Sequence, residues 1–129
     1  FRHSHEQNQV AEGADLKFIS EGYIQVPSMR LDTFMNWQKL EKIDFLKIDV
    51  EGAELSVLQS LGSQIQDVSV IYFEYEEENY TRFGYELEQI QELLVANGFR
   101  LYVPRMNQGV LTFENISDDS KGKNIIAVR

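Results

Sequence analysis

The segment from Phe45 to Tyr75 constrains the fold of this chain most. FLKIDV (45–50) is short, apolar and β-branched without strict alternation, which predicts a strand buried on both faces of a parallel sheet. Gly52 punctuates it. From about Ala53 a helix is expected, with Leu55, Leu58, Leu61 and Ile65 on an apolar stripe and Gly62 placed to end or loosen it. VSVIYFEY (68–75) is the strongest strand signal in the chain, with Val, Ile, Tyr and Phe in succession. Strand, helix and strand in this order imply an α/β sheet built from right-handed crossovers.

The flanks extend this pattern. Residues 1–14 are polar and aperiodic and read as a loop or arm; DLKFIS (15–20) and YIQVP (23–27) read as two short strands broken at Glu21-Gly22. Ser28 or Asp32 is placed to cap a helix across LDTFMNWQKL, whose Leu31, Phe34, Met35 and Leu40 predict one buried face, with Trp37 packing the same helix. The run Glu76-Glu77-Glu78 predicts a solvated loop. A second amphipathic helix is expected from about Tyr85 to Asn97, with Leu87, Ile90, Leu93 and Leu94 inward and Asn97-Gly98 as its stop. RLYVP (100–104) and VLTFE (110–114) read as partner strands around an Asn107-Gln108-Gly109 turn, and NIIAVR (124–129) as a last strand after the polar loop ISDDSKGK. A length of 129 residues suits a single domain, and no linker or internal repeat divides it.

Charge excludes some functions. Lys and Arg number 12 against 21 Asp and Glu, a net charge of −9. That balance argues against nucleic acid as a partner, which needs clustered cations, and against an anionic membrane surface. With no Cys there is no thiol catalysis, no Cys-ligated zinc and no disulfide framework. No apolar run approaches a membrane span, and the start lacks a signal-peptide pattern, so a cytoplasmic location is expected. The first residue is Phe1 rather than Met, which suggests a chain processed or cut from something longer.

In open α/β sheets ligands bind beyond the carboxyl ends of the strands. Two of the strands end in carboxylates: Asp49, Glu51 and Glu54 follow FLKIDV, and Glu74 and Glu76 close VSVIYFEY. If the two strands are parallel neighbours, their ends lie about 5 Å apart and the carboxylates face one pocket. Such a cluster suits Mg²⁺ or Ca²⁺, the hydroxyl groups of a sugar-like substrate, or a general base with a raised pKa. Glu51 and Glu54 also suit a first helical turn, where they meet the positive end of the helix dipole. Asp49 has a stronger claim to function, since a buried strand end is a costly place for an unpaired carboxylate. His3 and His5 lie in the polar arm, where a metal site is not expected. Tyr72, Tyr75, Tyr80 and Tyr85 serve a cleft or packing, and Arg82 and Arg105 are candidates for an anionic group. No GxSxG elbow, GxGxxG or Walker loop is present.

Leu31-Asp32-Thr33, the run Ile43 to Glu54 reading IDFLKIDVEGAE, Val57-Leu58, the strand Val70 to Glu74 and the close Asn124 to Val128 together carry a resemblance. Over about residues 23–128 the chain resembles the FkbM family of S-adenosylmethionine-dependent methyltransferases. The DVEGAE element is its most specific part. The resemblance implies a Rossmann-like class I sheet of order 3-2-1-4-5-7-6, of which this chain supplies strands 4-5-7-6 with the seventh antiparallel. The first strand and the Gly-rich cofactor turn have no match, so residues 15–129 read as the C-terminal portion of a methyltransferase domain. No cofactor-binding residue is carried over. An open edge near Lys47 to Val50 is expected unless residues before 30 close it.

The implied activity is O-methyl transfer from S-adenosylmethionine to a hydroxyl of a sugar or secondary metabolite, with this chain alone inactive. By resemblance Asp49 and Glu51 sit beside the transferred methyl, Asp49 positioning or deprotonating the hydroxyl, and Glu74 orients the hydroxyl or a metal. Glu54 and Tyr75 are the candidate substrate contacts. The alternative is a non-catalytic acidic module that binds Ca²⁺ or a basic protein through Glu74, Glu76, Glu77 and Glu78.

Overall fold

The structure is a computed structural model and describes residues 27–117, Ser120 and residues 123–129. The expected arm over 1–14, the strand over 15–20, all but Pro27 of the strand over 23–27, and His3 and His5 lie outside the described residues. The described elements are α1 (Leu31–Gln38), β1 (Ile43–Ile48), α2 (Glu54–Gln59), a 3-10 segment (Gly62–Asp67), β2 (Val68–Tyr75), α3 (Glu77–Arg82), α4 (Leu87–Ala96), β3 (Arg100–Asn107), β4 (Val110–Asn115) and β5 (Lys123–Val128).

The strands form one mixed five-stranded sheet of order β1-β2-β5-β3-β4. β1 and β2 are parallel, with Ile43 opposite Val68 and Ile48 opposite Phe73. The remaining pairs are antiparallel: β5 lies between β2 and β3, and β3 pairs with β4. The β3–β4 turn holds Gln108 and Gly109 at φ 49° and 82°, the positive pair that a tight hairpin requires.

Alternation across the register separates two faces. On one, Ile48, Phe73 and Ile125 stand in a row, as do Ile71 and Ala127, and all are buried. Met35 of α1, Leu55 and Leu58 of α2, Tyr80 of α3, and Leu87, Ile90 and Leu94 of α4 join the same cluster. Every helix among the described residues therefore packs into one face of the sheet. On the other face Phe45 stacks on Tyr72 with ring centroids 6.2 Å apart, and Tyr102 meets Phe113 edge-on at 6.3 Å. Phe45, Met106, Leu111 and Phe113 of that face are 52–67% exposed.

This arrangement corrects three expectations. FLKIDV is not buried on both faces: it lies at the edge of the described sheet, and only Ile48 of β1 is buried. The apolar run reports a face that could be covered on both sides, but the described helices cover one. In α1 only Met35 is buried; Phe34 and Leu40 are exposed and Trp37 is 68% exposed, so Trp37 does not pack the helix. Glu77 and Glu78 do not form a loop but open α3, whose acidic first turn and Arg82 in the last turn suit its dipole.

Capping also differs. Arg30 rather than Ser28 or Asp32 is the N-cap of α1. The first amides of that helix are satisfied from the end of α2: Ser60 Oγ accepts from Leu31 N at 3.1 Å and Ser60 O accepts from Asp32 N at 3.0 Å. Asp32 instead pairs with Arg30 at 2.7 Å, and that hydrogen-bonded pairing holds its carboxyl below the usual range.

Candidate active site

β1 ends at Ile48 and α2 begins at Glu54, so Asp49 to Ala53 make the connection. Its centre is a turn closed by a hydrogen bond from Ala53 N to Val50 O at 3.3 Å. The two central residues, Glu51 and Gly52, have φ of 52° and 109°. Glycine adopts such values without cost, whereas a glutamate there stores strain of about 1–3 kcal/mol that surrounding contacts must hold. Glu51 thus belongs neither to a strand continued from β1 nor to the first turn of α2.

Those contacts come from α3 and the residues after it. Asn79 is 8% exposed, and its Nδ2 donates to Glu51 Oε2 at 2.9 Å. The Asn79 backbone and Phe83 pack so closely that a Cβ on Gly52 would lie 2.8 Å from Asn79 O and from Phe83 Cδ2. Tyr85, between α3 and α4, donates its hydroxyl proton to Gly52 O at 2.5 Å and accepts from Leu55 N at 3.3 Å. Glu54 Oε1 accepts from Val50 N at 3.2 Å, and its Oε2 lies 3.3 Å from Tyr85 Oη.

Glu54 is 2% exposed, and burial pushes its carboxyl up from the ordinary value of 4.5 against the lowering effect of its hydrogen bonds. Burial, then the nearby Glu54 charge, also pushes up the Tyr80 hydroxyl; burial is the first cause for Tyr85 too. Both tyrosines therefore remain hydrogen-bond donors at neutral pH. Tyr80 donates to Glu74 O at 2.8 Å, and its ring lies 5.0 Å from Tyr75 and 4.8 Å from Tyr85.

The raised Glu54 pKa has a measurable consequence. In the unfolded chain this carboxyl ionises near 4.5; in the folded chain it holds its proton to higher pH. The folded state then binds more protons, so the contribution is fully present below about pH 4.5 and is lost as pH rises through the folded pKa. Glu54→Gln keeps an acceptor for Val50 N and a polar group beside Tyr85. It is expected to lose less stability than the unsubstituted protein between pH 4.5 and neutrality, read as urea midpoints for both proteins. Equal slopes would show that Glu54 does not titrate with folding.

The parallel register sets Asp49 level with Glu74, one step beyond Ile48 opposite Phe73. Asp49, Glu51, Glu54, Glu74 and Glu76 line one concavity with Gly52, Asn79 and Tyr80; its volume is about 10 Å³. The expectation that carboxylates from the two strand ends meet is therefore realised in placement. One premise is not: Asp49 is neither buried nor unpaired. Its side chain is 52% exposed, and Oδ2 meets Lys47 Nζ at 2.6 Å, which raises the lysine pKa. Tyr75 is set apart from the carboxylates. It faces the helix-covered side and lines a groove of about 450 Å³ with Tyr80, Tyr85, Thr81, Glu86 and Ser117. Arg105 is engaged by Glu114 at 3.0 Å.

Asn79 was not singled out from the sequence, and Tyr85 was named there only as one of four tyrosines serving a cleft or packing. The trace of Asn79 is the spacing of Asn79, Tyr80 and Phe83 behind an acidic run. The Ca²⁺-binding alternative finds no support, since among the described residues no three His, Cys, Asp or Glu side chains are placed to hold a metal ion. No helix among them is long and apolar enough to cross a membrane.

The chain is thus an α/β domain with an acidic, strained strand-to-helix turn at the end of its parallel strand pair, the end of the sheet where ligands bind in open α/β folds. The model of the methyltransferase FkbM domain matches residues 2–101, and the chain belongs to that family. It is similar to the 2-O-methyltransferase NoeI of Sinorhizobium fredii (strain NBRC 101917 / NGR234), with 28% identity over 109 residues. That alignment covers 84% of this chain and 44% of the relative, so the chain spans less than half the length of the relative it matches. No solved structure matches it.

Proposed function

We propose that this chain is the acceptor side of an S-adenosylmethionine-dependent O-methyltransferase acting on a hydroxyl of a small molecule, a sugar or secondary metabolite. The observation that carries the reading is the convergence of Asp49, Glu51 and Glu74 on one concavity at the adjacent ends of parallel β1 and β2. Asp49 accepts the hydrogen bond, and then the proton, of the acceptor hydroxyl; a hydroxyl is a poor nucleophile without such a base. Glu74 orients the same hydroxyl from the neighbouring strand. Glu51, fixed by Asn79, adds negative charge beside it.

The described residues do not fit S-adenosylmethionine as a complete site. A concavity of about 10 Å³ has no room for it, and no Gly-rich turn borders the carboxylates. The cofactor is the expected methyl donor of the family, and its chamber is not built by these residues. Two features support a larger domain. β1, β2, β3 and β5 have the order and directions expected for strands 4, 5, 6 and 7 of a class I sheet, with β5 antiparallel between β2 and β3. The exposed apolar sheet face and the β1 edge, which pairs with no other strand among the described residues, also suit coverage by further chain.

The test is transfer of labelled methyl from S-adenosylmethionine by the complete polypeptide to matched hydroxyl, amine and carboxylate acceptors. Label recovered in a methyl ether supports the reading. Label on nitrogen or carboxylate, or no transfer to any acceptor, overturns it.

A further inference from the structure

We propose that Tyr85 is a positioning residue for this reaction: its hydroxyl, with the buried Glu54 carboxyl, latches the positive-φ turn so that Asp49 and Glu51 stay aimed at the acceptor. The inference rests on the function proposed above. Tyr85 stands in the segment between α3 and α4, yet its hydroxyl reaches Gly52 O at the centre of the turn, at 2.5 Å, and Leu55 N in the first turn of α2, at 3.3 Å. Glu54 completes the latch by holding Val50 N, the residue next to Asp49. Tyr85 is 7% exposed and its ring packs on Tyr80, so the hydroxyl is delivered from a rigid base.

No bond within the turn except that from Ala53 N to Val50 O holds Glu51 at φ 52°. A residue in that conformation persists only when its surroundings over-determine it. Removing the Tyr85 hydroxyl leaves Gly52 O and Leu55 N without their partner while the ring keeps its packing. The turn then samples conformations with negative φ, and the carboxylates lose their aim. A displacement near 1 Å is enough to slow a positioned reaction by about 100-fold.

The experiment is Tyr85→Phe in the complete methyltransferase, beside the unsubstituted protein and Asp49→Asn. The expected result is a kcat at least about 10-fold lower, with KM for cofactor and acceptor within about twofold and the global melting temperature little changed. Amide hydrogen exchange should accelerate at Ala53 and Leu55 and stay unchanged in β2 and β5. A rise in acceptor KM with kcat retained would assign Tyr85 to the groove it also lines, and would overturn the proposal. So would unchanged exchange at Ala53 and Leu55, or acceleration spread evenly over the sheet. If the unsubstituted protein transfers no methyl group, the proposed function fails while the exchange arm still reads the latch. If Asp49→Asn is inactive and Tyr85→Phe is not, the function stands and the latch fails.

Discussion

Asp49→Asn in the complete polypeptide is expected to lower methyl transfer to a hydroxyl by about 10²–10⁴-fold, the range for loss of a general base. The substitution preserves shape and removes only the proton acceptor and its charge. Asp49 lies beyond the last residue of β1, and its side chain is half exposed. Its partner Lys47 is also exposed, and an ion pair of that kind contributes little to stability. The melting temperature should therefore stay within about 2 °C of the unsubstituted protein. Loss of activity with the fold intact places the chemistry at this carboxylate. Turnover within a few-fold of the unsubstituted protein would remove Asp49 from the mechanism and leave Glu74, level with it on β2, as the base to test next.

The largest effect on stability is expected at Gly52. Gly52→Ala adds a Cβ that would lie 2.8 Å from Asn79 O and from Phe83 Cδ2, nearer than such atoms ever approach. Neither neighbour yields easily: one is the backbone of α3, and the other is a half-buried ring packed against the core. The backbone adds a second cost, since φ is 109°. Steric overpacking costs about 1–3 kcal/mol, and an unfavourable backbone region a similar amount. The combined loss is expected to be about 3 kcal/mol, a fall of roughly 10 °C in melting temperature for a domain of this size. Urea denaturation of the two proteins reads it directly. A loss under 1 kcal/mol would mean that α3 moves away from the turn at little cost. In that case its hold on Glu51 through Asn79 would also be weak, and activity would be the more sensitive readout.

The two substitutions probe different origins of the site. Asp49 and Glu74 were legible because short runs of apolar, branched and aromatic residues located both strands and carboxylates closed each of them. β2 and β4 match the sequence reading almost residue for residue, and the β3–β4 turn falls on Gln108-Gly109 as expected. Local chemistry dominates such elements: branched and aromatic residues favour the pleated chain, and Gly tolerates the positive φ of the turn. α4 was legible for the same reason, through Leu87, Ile90 and Leu94 at helical spacing and an Asn97-Gly98 stop.

The misreadings share another cause. The acidic run was expected to stay in water, yet it opens α3 because Asn79 and Tyr80 just beyond it bury against the turn and the core. Trp37 was expected to pack, yet α1 turns only Met35 fully inward. The burial of β1 depends on which sheet face the helices choose, and hydrophobicity alone does not record that choice.

The sequence by itself determined the described strands, the helices other than α3, the acidic strand ends and family membership, because each depends on neighbours a few residues apart or on an uninterrupted motif. Tertiary structure alone decided that Glu51 takes a left-handed conformation and that Asn79 orients it. It also decided that Glu54 turns inward to hold a backbone amide, and that Tyr85 latches Gly52. The Asn79–Glu51 and Tyr85–Gly52 contacts join residues about 30 positions apart, and their strength comes from burial and from short distances that arise only once α3 has packed on the sheet.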